Sequence, residues 1–440
     1  MHAAFWFRRD LRLEDNTGLF HALRSGLPVI LVFIFDRDIL DRLPRQDARV
    51  EFIHQALSGM QQQLAAAGSS LAVRQGRVLE TWQALLEQHP GISAVYTNHD
   101  YEPYARSRDA EMGEFFRARG IAFHTFRDQV LFEKDELLSG SGKAYSVFTP
   151  YSRKWKEQLA AAPERLAPQP SETLMGSYFR QPPQPLPSLA ELGFEPAGIP
   201  FPPPQARQET IRAYHERRNF PAQPGTTRLG LHLRFGTISL RQLARTARDL
   251  NETYLNELIW REFYMQILWN FPHVADRPFR PEYEAIAWRN SEAEFEKWKA
   301  GRTGYPLVDA GMRELSATGY MHNRVRMVTA SFLAKHLLID WRWGEAWFAE
   351  KLLDFELASN NGGWQWAAGS GTDAAPYFRI FNPEEQLKKF DPEARYVRAW
   401  VPEYGTPLYP RPVVDHRQAR ERCLAAYQQA LKGTEVPPVS

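Results

Sequence analysis

Short apolar runs alternate with amphipathic segments through the first 130 residues, and this alternation narrows the fold more than any other feature. Ala3–Phe7, Pro28–Asp36, Leu71–Arg74, Ile92–Asn98 and Ile121–Phe126 read as strands. Gly18–Ser25, Ala48–Ala67, Val78–His89 and Pro103–Arg119 read as helices between them. Within Ala48–Ala67 the residues Val50, Ile53, Leu57, Met60 and Leu64 recur at three- and four-residue steps, which makes one apolar face. Strands spaced by helices of this length pair in parallel through right-handed crossovers. The expected fold class is therefore α/β at the N-terminus, a doubly wound parallel sheet over residues 1–130.

At 440 residues the chain exceeds what one hydrophobic core supports, so further domains are expected. From Pro163 to Pro204 prolines are dense and periodicity disappears, so residues 131–204 read as a connector. Leu166, Phe179 and Leu186 are its candidate anchors to a surface. Helical periodicity dominates residues 205–440, in Gln205–Arg217, Ser239–Leu250, Asn251–Phe271, Ala293–Lys299, Pro306–Thr318, Asn323–His336, Glu345–Leu352 and Arg417–Lys432. An all-α C-terminal domain follows. Ten of the 13 tryptophans fall between Trp260 and Trp400, so flat rings are concentrated there.

Net charge is only +2, so contact with nucleic acid requires a local basic patch. The single cysteine, Cys423, excludes a disulfide framework and any cysteine-built metal site. No apolar run is long enough to cross a membrane and the N-terminus lacks a signal-peptide pattern, so a cytosolic protein without membrane attachment is expected. Phosphate-loop signatures fail on inspection. Before Gly142-Lys143 the motif's first glycine would fall on Leu137, and Ala144 replaces the magnesium-binding hydroxyl. Gly369-Ser370-Gly371 follows tryptophan-rich sequence rather than a strand.

Four segments of the second half carry more polar and aromatic residues than a helical core needs. In 224–239, Thr226 and Thr227 with Arg228 could hold a phosphate at a helix start, or simply cap that helix. In 256–269, Glu257, Trp260, Arg261 and Tyr264 share a helix side, a carboxylate beside rings that could read and stack a base. The alternative is that the rings are core and that Glu257 pairs with Arg261. In 318–336, Asn323, Arg324 and Arg326 precede an apolar stretch, where a buried arginine requires an anionic partner. Asp354 and Glu356 in the fourth segment, 352–383, offer one. There Asn360-Asn361-Gly362-Gly363 reads as a tight positive-φ turn allowing close approach to a flat ligand. A large ring system bordered by Asn360 and an Arg326–Asp354 pair would account for the cluster.

Several of these stretches together resemble the photolyase/cryptochrome family, closest to its bacterial class I cyclobutane pyrimidine dimer photolyases. They are LNELIWREFY, TGYPLVDAGMRELSATGYMHNRVRM, LAKHLLIDWRWGE, NNGGWQWAAGSGTDAAPYFRIFNP and the N-terminal FWFRRDLRLEDNTGL. The resemblance implies a carbon–carbon lyase acting on UV-damaged DNA, expected as a monomer, with FAD in its reduced anionic form. It matches Tyr214, Thr226, Thr227, Arg228, Leu229 and Gly230 to the segment around the FAD phosphates. Asn323, Arg326, Asp354, Phe355 and Glu356 match positions bordering flavin and ribose, and Asn360 the side chain facing flavin N5. Trp364, Trp341 and Trp288 match the family's electron relay. Glu257, Trp260, Asn323, Met327 and Trp366 match the pocket for a flipped-out dimer. Arg324 and Gln386 match DNA-contacting positions, and Arg261 and Tyr264 on the same helix join that expected substrate face.

The sequence departs from the family pattern at three places. Gly230 stands where relatives usually have Ser, and Glu356 where they have Asp. Folate-binding members carry Asn-Glu at the positions of Tyr104-Ala105, which counts against methenyltetrahydrofolate there and leaves a flavin, a deazaflavin or no antenna. Asn323 and Met327 replace the histidine pair of (6-4) photolyases. A cryptochrome-like blue-light photosensor without repair activity is the alternative reading.

Overall fold

The computed structural model describes residues 1–432 and divides into two compact units. Unit 1 comprises Met1–Glu133, Lys156–Gln205 and Arg228–Asp249; unit 2 comprises Lys134–Trp155, Ala206–Thr227 and Leu250 onward.

In unit 1 five strands form one sheet in the order β3-β2-β1-β4-β5: β1 (His2–Phe7), β2 (Val29–Asp36), β3 (Leu71–Gly76), β4 (Ile92–Asn98) and β5 (Ala122–Phe126). Every pairing is parallel, with Phe5 opposite Leu31 on one side and Tyr96 on the other. All eight residues of β2 are buried, as a strand covered on both faces requires. Helices Thr17–Leu23, Ala48–Ala66, Val78–Gln88 and Pro103–Arg117 supply that cover, each within a few residues of the sequence expectation. On one face Trp82 meets Trp6 edge-on at 5.8 Å and Phe116 at 5.1 Å.

Two segments outside residues 1–130 complete this unit. The expected connector, residues 131–204, is divided: Lys134–Trp155 belongs to unit 2, and the part from Lys156 onward is fastened to unit 1. Leu166 is buried, Phe179 packs against the core around Trp6, and Tyr178 forms a parallel bridge to Val29. Gln61 donates to the carbonyl of Gln184 at 2.7 Å and Gln75 to that of Leu192 at 3.1 Å, so the proline-rich chain satisfies donors that would otherwise lie buried. Residues 228–249, expected in the helical domain, join unit 1 through charge. Arg241 donates to Asp15 at 2.9 Å and to Asp128 at 3.0 Å, and Arg12 meets Asp128 at 2.6 Å. Burial alone would raise the Asp128 carboxyl; Arg12 and Arg241 outweigh it and hold the group down to about 2.

Unit 2 is helical, with a core around Trp298, Phe332, Trp341, Phe348 and Trp364. The helix at Glu252–Asn270 is capped by Asn251, whose side chain accepts from the Tyr254 amide at 3.0 Å. Asn323–Ser331 runs into a π-turn at Phe332–His336 rather than continuing as one regular helix. The expected Gln205–Arg217 helix breaks at Ala213 into Gln208–Arg212 and Tyr214–Arg217. The last expected helix begins one residue earlier, as His416–Lys432, and the expected Glu345–Leu352 begins four residues earlier, at Trp341, because Asp340 caps it. Helices at Phe148–Ala161, Pro383–Phe390 and Arg395–Trp400 add to those expected. Among the described residues no helix is long and apolar enough to cross a membrane, and no cluster of three metal-ligating side chains occurs.

A further expectation is overturned. Asn360-Asn361-Gly362-Gly363 is not a positive-φ turn; it lies inside the helix Leu357–Ala368. Gly362 is required by packing, since a Cβ there would sit 2.2 Å from the Tyr264 ring. Gly363 is different, for a Cβ would meet nothing within 4 Å.

Gly362→Ala should therefore lose about 1–3 kcal/mol in denaturant unfolding through overpacking. Gly363→Ala in the cofactor-free protein should gain about 0.5–1 kcal/mol from helix propensity. Asp128→Asn, by leaving two buried guanidiniums short of charge, should cost about 3–5 kcal/mol. Because the native Asp128 pKa is depressed, its contribution is present above the unfolded value of about 4 and fades as pH falls toward 2. Unfolding curves at pH 7 and pH 3 should show wild type and Asp128→Asn converging at the lower pH.

Candidate functional site

Unit 2 gathers most of the expected residues onto four segments. On Glu252–Asn270 the residues Glu257, Trp260, Arg261 and Tyr264 share one side, and each meets a different partner. Glu257 pairs with Arg218, not with Arg261; the two side chains are about one-third exposed. Burial raises the Glu257 carboxyl above its ordinary range, and Arg218 offsets this only in part. Trp260 stacks face to face on Phe148, ring centres 3.7 Å apart and planes within 5°. Tyr264 packs on Gly362.

Arg261, expected on the substrate face, is buried against Glu356, Nε to Oε2 at 3.1 Å. Its position answers to that carboxylate: a guanidinium this far from water needs an anion, and Glu356, itself 6% exposed, supplies it. Glu356 is also the residue before Leu357–Ala368, where its side chain makes no capping bond.

The segment around Asn323 places its polar groups at the start of the Asn323–Ser331 helix. Asn323 is exposed, and Met327 is half-buried one turn later. Arg324 donates to Asn219 Oδ1 at 2.7 Å and lies over the Phe390 ring at 4.4 Å. Arg326 forms the anticipated pair with Asp354, Nη2 to the two carboxylate oxygens at 2.9 and 3.1 Å, while Nε donates to the Met321 carbonyl at 2.8 Å. Phe355 is half-buried against the core around Trp298 and Trp364.

On Leu357–Ala368 the Asn360 amide donates to Glu345 twice, to Oε1 at 2.8 Å and to its carbonyl at 3.1 Å. The nitrogen is thereby committed, and the amide oxygen is the end left to accept a hydrogen bond. Gly363, one turn on, fronts open space. Trp364 is buried with its Nε1 unpartnered; Trp341 is equally buried, and Trp288 packs on the same core and edge-on to Tyr427 at 6.1 Å. Trp366 faces Phe381 at 6.4 Å, and Gln386 sits on Pro383–Phe390 with Oε1 buried and unpartnered.

Around Tyr214 lies a cluster of hydroxyls. Thr226 Oγ1 is 3.2 Å from Tyr320 Oη, Thr227 Oγ1 is 2.9 Å from Tyr254 Oη, and Tyr214 meets Tyr254 edge-on at 5.0 Å. Burial pushes the Tyr254 hydroxyl up to about 12, so it remains a protonated donor. Neither threonine caps the helix Gly230–Phe235, whose N-cap is Leu229 without any side-chain bond. Arg228, with φ of +55°, Leu229 and Gly230 belong to unit 1. Also in unit 1, Tyr104 donates to Asp36 at 2.5 Å and Ala105 is buried.

Arg218, Tyr254, Tyr320 and Glu345 were missed in the sequence reading. A basic run, Arg217-Arg218, and the tyrosine-rich flanks of the motifs were the available signals, and none of them names a partner. The set fits a flavin nucleotide: donor hydroxyls in a group, a half-buried Arg326–Asp354 pair, an oriented amide acceptor on Asn360, and open space at Gly363.

Comparison with known proteins agrees. Residues 3–171 match the family model described as DNA photolyase, and residues 254–407 match the FAD binding domain of DNA photolyase. The deoxyribodipyrimidine photo-lyase of Synechococcus sp. is 39% identical, covering 99% of this chain and 98% of its own. A crystal structure of a class III photolyase from Agrobacterium tumefaciens has a TM-score of 0.85 at 35% identity over 98% of both chains. A photolyase from Sulfolobus tokodaii, solved with two FAD molecules, has a TM-score of 0.78 at 34% identity, covering 98% of this chain and 100% of its own. With identity of this order along nearly its whole length, and with residues 254–407 matching an FAD binding domain, the chain belongs to the DNA photolyase family.

Proposed function

We propose that this protein repairs cyclobutane pyrimidine dimers in DNA under blue light, with reduced anionic FAD held in unit 2 and the dimer flipped out of the duplex beside Glu257. The observation that carries this reading is the Glu257–Trp260 pair: a half-buried carboxyl of raised pKa next to a tryptophan fixed against Phe148. Reduced FAD, when bound, supplies the photoexcited electron that opens the cyclobutane ring and receives it back, so the reaction has no net redox change.

The protein's own groups do the rest. Flipping costs a few kcal/mol, least at a damaged and poorly stacked site, which favours lesion over normal DNA. Trp260 offers a ring plane and Met327 and Trp366 apolar surface to the extruded dimer, and Asn323 an amide to its polar edge. Arg218 neutralises Glu257 in the absence of substrate; a lesion that enters beside Glu257 exchanges that ion pair for a hydrogen bond. A protonated Glu257 then donates to a dimer carbonyl, where negative charge develops. Asn360, its amide nitrogen tied to Glu345, presents its oxygen as acceptor to the flavin. Trp364, Trp341 and Trp288 serve as the relay that brings electrons from solvent to flavin. Arg324 and Gln386 contact the DNA backbone around the lesion. The Tyr104–Asp36 bond and the lack of a carboxylate at Ala105 count against folate as the antenna at that position.

Blue-light treatment of a thymine-dimer oligonucleotide with pre-reduced protein, against a dark control, tests this reading. Thymine should be restored only in the light; absence of repair by FAD-loaded, reduced protein would favour a photosensor. In the same assay Glu257→Ala should lower repair per absorbed photon by about tenfold, and Glu257→Gln, which keeps a neutral donor, should retain most of it. Wild-type yield should decline as pH rises through the raised Glu257 pKa, since the donor form is the protonated one; the Gln variant should show no such decline. Trp364→Phe should abolish photoreduction of oxidised protein while chemically reduced protein still repairs, read by flavin absorbance and thymine release in parallel.

A further inference from the structure

We infer that unit 1 carries a binding site for a small phosphate ester, in a recess walled by Arg127, Arg165 and Arg241. The recess encloses about 280 Å³. That volume is near the lower end of small-ligand pockets and larger than a bare phosphate would fill. Val130 and Leu131 give it an apolar side for the organic part of an ester, and Glu164 is the one carboxylate in its lining.

Two of the guanidiniums are set in place before any ligand arrives. Arg241 is 6% exposed. It donates once through Nε to Asp15, once through Nη1 to Thr17 Oγ1 at 2.9 Å, and twice through Nη2, to the Asp15 carbonyl and to Asp128. A guanidinium has five N–H groups, so one on Nη1 is left in a side chain that lines the recess. Arg165 donates to the Leu131 carbonyl at 3.0 Å and lies over the Phe132 ring at 4.4 Å. Fixed, planar guanidiniums are the groups best suited to phosphate oxygens, because little side-chain entropy is lost on binding.

The charges favour an anion as well. Arg12 and Arg241 are matched by Asp15 and Asp128 within the buried network. Of the other charged residues that line the recess, Arg127 and Arg165 are basic and Glu164 is acidic. None of these residues belongs to the flavin- and dimer-facing set of unit 2, so the site is separable from repair by mutation.

The test uses full-length protein loaded with FAD, which fills the flavin site, titrated calorimetrically with AMP and with inorganic phosphate at constant ionic strength. AMP should bind saturably at one site, with phosphate weaker and competing. Arg165→Met and Arg127→Met should each weaken AMP by about tenfold, the loss expected for one charge-assisted contact, with FAD content and repair unchanged. Hydrogen exchange provides a readout independent of the variants: AMP should protect residues 127–131 and 163–169 in the wild type. Absence of saturable binding by both probes at millimolar concentration would overturn the proposal. So would equal AMP affinity in the Arg127→Met/Arg165→Met double variant, or protection confined to other segments.

Discussion

The close approach of Tyr264 to Gly362 governs the arrangement of the helical unit. Two helices can meet at that point only because one of them lacks a side chain there; a single methyl would overlap the ring by more than 1 Å relative to ordinary contact. The contact fixes Glu252–Asn270 against Leu357–Ala368, and so fixes Glu257 and Trp260 relative to Asn360 and Trp364. A second contact of the same kind holds the other side, where a Cβ on Gly344 would meet Trp364 at 2.1 Å. The helix carrying Asn360 is thus clamped between two backbone-to-ring contacts. Glycines that reduce helix propensity are tolerated because the tertiary packing they permit outweighs that local cost.

Within this frame the arginines fall into two groups by burial. Arg12, Arg241 and Arg261 are almost inaccessible and lie against carboxylates that are equally enclosed. Such pairs hold segments in register, and removing one member leaves a charge with no solvent to receive it. Arg218 and Arg324 are more open; Arg218 meets a carboxyl and Arg324 an amide that water can also reach. An ion pair at that depth contributes little to stability and exchanges partners at low cost, which suits the exchange proposed for Glu257. The Arg326–Asp354 pair lies between these cases, with one-fifth to one-quarter of each side chain exposed and a backbone carbonyl holding the guanidinium from the other side.

Much of this was legible in the sequence, for identifiable reasons. The parallel sheet was readable because its strands are short, nearly all apolar and spaced by amphipathic helices. The Glu252–Asn270 helix was readable from its helical periodicity, and the Arg326–Asp354 pair because a buried arginine must have an anion. The Leu357–Ala368 helix was not readable, since Asn-Asn-Gly-Gly satisfies every local rule for a turn and only the distant Tyr264 overrides them. The assignment of 228–249 was hidden for a similar reason: Arg241 is drawn to Asp15 and Asp128, more than 100 residues away, and no periodicity encodes that attraction. Partners such as Arg218 for Glu257 and Glu345 for Asn360 are choices among many charged residues, decided by three-dimensional proximity alone.

The pairing of Arg261 with Glu356 gives physical meaning to one departure from the family pattern. A carboxylate one methylene longer than Asp reaches farther from its backbone, and here it spans to a guanidinium on a neighbouring helix at 3.1 Å. The longer acid therefore joins the helix bearing Glu257 to the residue that opens the helix bearing Asn360. Charge is conserved at that position, but its direction is toward the helix pair rather than solely toward a cofactor. The two helices are held by a ring-on-backbone contact at Gly362 and by this buried ion pair about two turns away. Two such points of attachment restrain rotation as well as separation, so the distance between Glu257 and Trp260 on one helix and Asn360 on the other is a property of the scaffold, and the arrangement proposed for repair need not be assembled when substrate binds.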